Sequence, residues 1–311
     1  MIQLKQFLVL SNNNFLYGGQ AVIEGVMIRG IRRATLAVRK PNGDIVKRSI
    51  ALASWANSKL RNLFLIRGVL VLFETLIIGT KALTYSASEA AEEDDSSEMS
   101  KLAIIIMISI SLLFGLSFFF LLPLFLSSLA DSIFSNHFLA NIIEGIVRLF
   151  LFIGYIFFIG RMNDIKRVFG YHGAEHMTVH CMEHKKALRY DNIINYSPAH
   201  PRCGTSFLLT VVFLSILIFI LIPREPTWLL ISSRIFLIPV ITAVSYEFIR
   251  FTGKYDNFGT KILSLPNLFL QKLTTNFPDK QMIEVSIVAM EYAIAIDNDE
   301  VNPEDNKFVP A

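Results

Sequence analysis

With 53% hydrophobic residues over 311 positions and a mean hydropathy of +0.49, the chain is too apolar for an ordinary water-soluble domain. Its net charge is +3, from 29 Lys and Arg against 26 Asp and Glu, and no aromatic-interleaved basic patch accompanies the surplus, which argues against a nucleic-acid partner. The class expected is a polytopic α-helical membrane protein.

The first ten residues carry one Lys and no secretory cleavage pattern, so no signal peptide is expected. Residues 1–60 read as a small β-rich cytoplasmic module, which makes the whole an α+β chain. "GGQAVIEGVMIRG" (18–30) is apolar and Gly-bounded. "ATLAVRKPNGDIVKRSI" (34–50) reads as two strands around Asn42-Gly43, a pair that supplies the positive φ angles of a tight hairpin turn. Glu24 sits in an otherwise apolar strand, and its carboxylate is either paired at a hairpin edge or directed into a site. The apolar run 61–85 is interrupted by Arg67 and Glu74, seven apart and therefore on one helical face. A full membrane span would have to bury both, so an interfacial or partly buried helix is expected, with the two charges as a structural ion pair. Residues 86–101 are acidic, small and polar, the makeup of a flexible linker.

Four stretches, 102–126, 142–160, 206–222 and 228–249, approach the roughly 20 apolar residues needed to cross a hydrocarbon core. The loop 127–141 holds no Lys or Arg, and the turn "PREPT" (223–227) holds only Arg224. By contrast, Arg161, Lys166, Arg167, Lys185, Lys186, Arg189 and Arg202 follow the second stretch, and Arg250, Lys254 and Lys261 follow the fourth. The positive-inside rule then places both termini and the segment 161–205 in the cytoplasm, in a multi-pass protein of the plasma (inner) membrane. The basic residues serve as topology determinants and contacts to membrane lipids.

Glu144 and Arg148 form an i, i+4 pair of structural character. Glu247 needs a partner, for which Arg250 is near, or a ligand role. Asn163, Asp164 and Arg167 read as caps and interface anchors. The region 251–296 is expected to be cytoplasmic and helical, with Pro278 and Asp279 opening a capped amphipathic helix, and 297–311 to be a disordered acidic tail. No long internal repeat is visible.

The chemistry concentrates in 161–205, where five of the chain's six histidines and both cysteines lie. In "YHGAEHMTVHCMEH" (171–184), His172, His176, His180 and His184 recur every fourth residue and so share one slowly drifting helix face. His172, Glu175 and His176 spell H-x-x-E-H, in which an i, i+4 imidazole pair chelates one ion and the Glu is placed to take a proton from water. "HPRCG" returns His200 and Cys203 to the membrane surface, and an imidazole with a thiolate suits a borderline-soft ion such as zinc. The candidate ligands of zinc or another divalent transition metal are therefore His172, His176, His180, His200 and Cys203, with Glu175 as general base. The opposing reading makes these histidines solvated surface groups or lipid headgroup contacts. His184, beside Lys185 and Lys186, is the weakest member, and His137 is unrelated. In a reducing compartment the two cysteines are not expected to pair.

With these residues assembled, the chain resembles the YqhQ-like family of bacterial membrane proteins, a domain of unknown function labelled as predicted metal-dependent enzymes. The matching stretches are "GGQAVIEGVMIRG" (18–30), "IRGVLVLFETLIIGTKAL" (66–83), "DIKRVFGYHGAEHMTVH" (164–180), "HPRCGTSFLL" (200–209) and "SYEFIR" (245–250). They continue with "LPNLFLQKLTT" (265–275) and "PDKQMIEVSIVAM" (278–290). The resemblance groups Glu24, as a second catalytic carboxylate, with His172, Glu175, His176, His180, His200 and Cys203. Met177 stands where the family has Lys, and His184 falls outside the shared pattern. The expectation is a metal-dependent, hydrolytic membrane enzyme acting on a lipid-linked or membrane-tethered substrate. Its rival is a non-enzymatic membrane module whose metal or histidine network stiffens a docking surface. A transporter is less attractive, because no inverted repeat accompanies the spans.

Overall fold

The antiparallel strands β1 (Gly18–Val22), β2 (Gly25–Arg29), β3 (Arg33–Arg39) and β4 (Ile45–Ala51) form a sheet in the order β1-β2-β3-β4. The structure is a computed structural model that describes residues 17–53, 63–91, 100–134, 136–201, 203–255, 257–303 and 305. Alternation along β2 and β3 feeds two cores, because successive side chains leave opposite faces of a strand. Val26, Ile28 and Ala37 point one way, and Met27, Leu36 and Val38 the other. "GGQAVIEGVMIRG" is thus itself a hairpin, turning at Ile23 and Glu24. Glu24 takes φ 49° in that turn and does not lie in a strand. At the β3–β4 turn only Gly43 has positive φ, at 94°; Asn42 instead accepts the Asp44 N–H with its side chain.

Helix α1 (Ile66–Ala90) covers one sheet face with Ile78 and Ala82. The other face is covered by the last of the described helices, α10 (Lys280–Asp297), capped as expected by Asp279, whose carboxylate accepts the Met282 N–H at 2.8 Å. Between them the chain runs through α2 (Lys101–Leu116), a π-helical turn (Ser117–Leu121), α3 (Leu122–Phe134), α4 (His137–Ile159) and α5 (Asn163–Glu183). It continues with the short α6 (Tyr190–Ile193), α7 (Thr205–Ile220), α8 (Thr227–Lys254) and α9 (Phe258–Thr274). Helix α5 packs between β1 and α10, so the histidine-bearing helix belongs to the sheet's core.

Among the described residues, three helical stretches are long and apolar enough to cross a membrane: Ile105–Leu129, His137–Ile159 and Thr227–Lys254. The expected span 206–222 is the 16-residue α7, about 24 Å long at 1.5 Å per residue, against a hydrocarbon core of about 30 Å. It packs between α4 and α8.

The expected Arg67–Glu74 pair does not form. Seven residues along a helix is about 10 Å, so each charge reaches across to a neighbouring element instead. Arg67 pairs with Glu247 of α8, on which the expected neighbour Arg250 also acts as a nearby charge, and Glu74 meets Arg29 of β2 at 3.2 Å. The Glu144–Arg148 pair forms at 2.7 Å, within a larger cluster. Arg234 donates twice to Glu144, at 2.7 and 3.1 Å, while Arg224 bonds Asn141 and Ser127 and lies 3.5 Å from Glu144.

The acidic segments also differ from expectation. Helix α1 runs on to Ala90, into the expected linker, whose residues 92–99 lie outside the described ones. At the start of the expected disordered tail, the Asp297 carboxylate accepts from the Tyr17 hydroxyl and from the N–H groups of Ile31 and Arg32 at 2.9–3.0 Å, and Ser49 donates to the Pro303 carbonyl at 2.7 Å. Asp297 satisfies the backbone N–H groups left over by the β2–β3 turn, which holds the chain in place there. Residues 304 and 306–311 lie outside the described residues.

Candidate metal centre

Helix α5 presents His172, His176 and His180 on one face, as their spacing requires; Pro198, Ala199, Cys203 and the end of α9 at Thr274 lie against that face, while the sheet and α10 take the apolar face opposite. Fractional exposure is 8% at His172, 3% at Glu175 and 2% at His176. A solvated stripe of histidines is therefore not what the fold builds. The expected five donors are not gathered around one point; they form two groups. His172, His176 and Cys203 each offer a donor atom, and the three atoms lie within 4.8 Å of one another; His180 and His200 form a second such group with Glu183.

In the first group the hydrogen bonds fix the tautomers. His172 Nδ1 lies 2.8 Å from the Thr274 carbonyl and His176 Nδ1 2.6 Å from the Pro198 carbonyl. A carbonyl only accepts, so both Nδ1 atoms carry a proton, and in the neutral ring that leaves the lone pair on Nε2. His172 Nε2 faces Cys203 Sγ at 3.1 Å. Carbonyl partners of this kind orient imidazoles in metal sites. Burial pushes His176 and His180 below the ordinary imidazole range, which favours the neutral, metal-binding form.

Glu175 Oε2 stands 3.4 Å from His176 Nε2. Burial raises its carboxyl above the usual range, against the opposing pull of the nearby His172 and His200 and a bond from the Gly19 N–H.

The second group is more open. His180 donates Nε2–H to the Ala199 carbonyl at 3.0 Å, and His200 Nε2 lies 3.3 Å from Glu183 Oε2. The His200 ring stands between those of His176 and His180, at 5.7 and 4.4 Å between centroids. Its backbone is held by the fully buried Gln271, which accepts the His200 N–H at 2.7 Å and donates to the His200 carbonyl at 2.8 Å.

Glu24 stands apart. Its carboxylate takes both Arg167 contacts at 2.5 Å and the Tyr171 hydroxyl at 3.1 Å, and the guanidinium lowers its carboxyl from the ordinary value. Arg167 thereby ties α5 to the β1–β2 hairpin. His184 caps α5, with Nδ1 2.8 Å from the His180 carbonyl, and the remote His137 meets Asp131. Cys181 is a free, buried thiol pushed up to about 11 by burial.

A cavity of about 440 Å³ opens beside the first group. Glu175, His176, His200 and Cys203 form its polar end, with the Arg29–Glu74 pair on another wall. Val71, Leu72 and Ile78 of α1, Phe207 of α7 and Ile249 of α8 make the rest largely apolar. Gly173 lets α5 approach the chain after α9 closely: a Cβ there would stand 2.0 Å from the Asn276 carbonyl oxygen.

The sequence reading missed Glu183, Gln271 and Arg29, and it gave Glu74 to a different ion pair. Glu183 follows His180 by three residues on the same helix face, a legible signal. Gln271, like the carbonyls of Thr274, Pro198 and Ala199, carries no local signal.

A family model described as "Protein of unknown function (DUF1385)" matches residues 63–296, well over half of the chain. The chain belongs to the DUF1385 family. The family segment includes α5, His200, Cys203, Gln271 and Thr274, but not the sheet that supplies Gly19 and Arg29 to the cavity. "Uncharacterized protein YqhQ" of Bacillus subtilis (strain 168) is 36% identical over 287 residues, covering 87% of this chain and 90% of the relative. No solved structure matches.

Proposed function

We propose that this DUF1385 protein is a metal-dependent membrane hydrolase. The observation that carries the reading is the buried convergence of His172, His176 and Cys203 beside Glu175, at the polar end of a mostly apolar cavity. Two imidazoles and a thiolate suit zinc, and three protein ligands leave a fourth position for water or substrate, the pattern of catalytic rather than structural zinc. An ion held there supplies Lewis acidity to the reacting water and the substrate's electrophilic centre. Glu175 takes the proton of the water as its oxygen bonds to that centre, then returns it to the leaving group. The backbone carbonyls of Thr274 and Pro198 hold His172 and His176 in the required tautomer.

The substrate expected is lipid-linked or otherwise membrane-tethered, with its reacting group at Glu175 and its apolar part along α1, α7 and α8. Supporting a membrane location, the apolar stretch Ile105–Leu129 has none of its most hydrophobic window buried against the rest of the chain. The fall of Lys and Arg supports an inner-membrane orientation with both termini, and hence the site, cytoplasmic.

Elemental analysis of the full chain purified in detergent tests the metal, with about one equivalent or more expected. H176A that keeps its full metal content and stability sinks the reading. The docking-module alternative makes Glu175 dispensable, so E175Q that folds, binds metal and complements a deletion fully favours the scaffold. Loss of complementation with metal retained favours the enzyme.

A further inference from the structure

The pooling of five donors into one ion site, which the sequence invites, does not survive the geometry, and the donors left over are themselves grouped. We propose that His180, Glu183 and His200 hold a second divalent transition metal ion, distinct from the one assigned to His172, His176 and Cys203. The three offer donor atoms within 4.8 Å of one another. They come from the C-terminal turn of α5 and from a loop 17 residues further on.

Two features distinguish the group from a plain hydrogen-bonded pair. First, the Ala199 carbonyl accepts from His180 Nε2 at 3.0 Å, so the proton is on Nε2 and the lone pair on Nδ1. His180 is thereby committed to the tautomer a ligand needs, by the same carbonyl device that orients His172 and His176. Second, Gln271 is fully buried and spends its amide on both backbone groups of His200. Gln271, which also donates to the Ser206 hydroxyl at 3.0 Å, thereby fixes the backbone from which the His200 ring projects, as preorganised sites require. The donor set of two nitrogens and one oxygen is harder than the nitrogen–sulfur set next to it, so the two positions differ in metal preference. Continuity follows from His200, whose ring lies 4.4 Å from His180 and 5.7 Å from His176 and which also lines the cavity. Of the second group only His200 lines that cavity, while His180 lines a separate one with Ala199 and Pro201, so the two ions would be linked through His200 rather than share one chamber.

The full chain in detergent, stripped with chelator and titrated with Co²⁺ by equilibrium dialysis, tests this. Cobalt on Cys203 gives thiolate-to-metal absorption, whereas cobalt on His180, Glu183 and His200 does not. The expected result is two equivalents per chain, with one lost in E183Q and in H180A while the thiolate band persists. In C203S the band is lost and one equivalent remains. E183Q is near-isosteric and its side chain is 20% exposed, so it folds where a deeper change would not; its apo melting temperature, equal to wild type, checks this. One equivalent in wild type with the band intact, or two equivalents retained in E183Q, overturns the second site and leaves the first standing. Two equivalents with no band, one of them lost in E183Q, overturns the Cys203 assignment and leaves the second site standing.

Discussion

Gly173 is where packing and chemistry are most tightly tied. A Cβ there would stand 2.0 Å from the Asn276 carbonyl oxygen and 3.3 Å from the Pro198 Cβ. A carbon approaches a carbonyl oxygen to about 3.3 Å without repulsion, so G173A must open the contact by roughly 1.3 Å. Neither neighbour can swing aside, since one is backbone and the other a proline ring. The segments pushed away are the ones that accept the His172 and His176 Nδ1 protons, at Thr274 and Pro198. Alanine gains about 1 kcal/mol over glycine in a helix interior, overpacking costs about 1–3 kcal/mol, and each buried N–H left without a partner costs about 1–3 kcal/mol. With both N–H groups left without partners the net loss expected is about 2–8 kcal/mol, with metal affinity reduced about 10–100-fold because the imidazoles lose their orienting carbonyls. Thermal unfolding of the detergent-solubilised chain reads the first and competition with a fluorescent chelator the second. If G173A unfolds within about 0.5 kcal/mol of wild type and keeps its metal affinity, the close approach is not what orients the histidines.

Two further outcomes follow from buried charge. Removing the carboxylate charge at Glu144 in E144Q leaves Arg148 and Arg234 without their shared anion in a site where all three are under 3% exposed. A loss of about 3–5 kcal/mol is expected on thermal unfolding, and a wild-type melting temperature would show that the arginines are compensated elsewhere. Glu175 gives a pH signature. Its folded value is raised above the ordinary 4.5, so its contribution to stability is fully present below about 4.5 and is lost as pH rises toward the folded value. In chelator, E175Q should therefore gain stability relative to wild type progressively above pH of about 4.5, and bound metal should shrink that gap by favouring the carboxylate. A difference independent of pH would mean that Glu175 titrates normally.

The sequence made the periodic features legible. Four-residue spacing set His172, His176 and His180 on one face of α5, and Asp279 announced the start of α10. What it hid was long-range. Glu24 looked like a strand carboxylate because the hairpin turn at Ile23 and Glu24 contains no glycine or asparagine in its two central positions; Gly25 follows it. Arg67 and Glu74 shared a helix face, but α1 lies between the sheet and α8, and each charge found a partner across a tertiary interface. Likewise the five candidate ligands were correctly localised to one region, yet their division into two groups depends on where the 197–203 loop crosses α5. That crossing is set by Gln271, some 70 residues further along.

The carbonyl partners carry a consequence for how site and fold depend on each other. The Nδ1 of His172, the Nδ1 of His176 and the Nε2 of His180 rest on the carbonyls of Thr274, Pro198 and Ala199. None of these comes from α5 itself. If α9 and the 197–203 loop detach, each of these histidines loses its fixed tautomer at the same moment as its position. An ion that requires those tautomers binds only the docked arrangement, and so stabilises it by mass action. Metal affinity and the docking of α9 onto α5 are then one free energy divided between two descriptions, which is why a change such as G173A, made at no ligand, is expected to register in both.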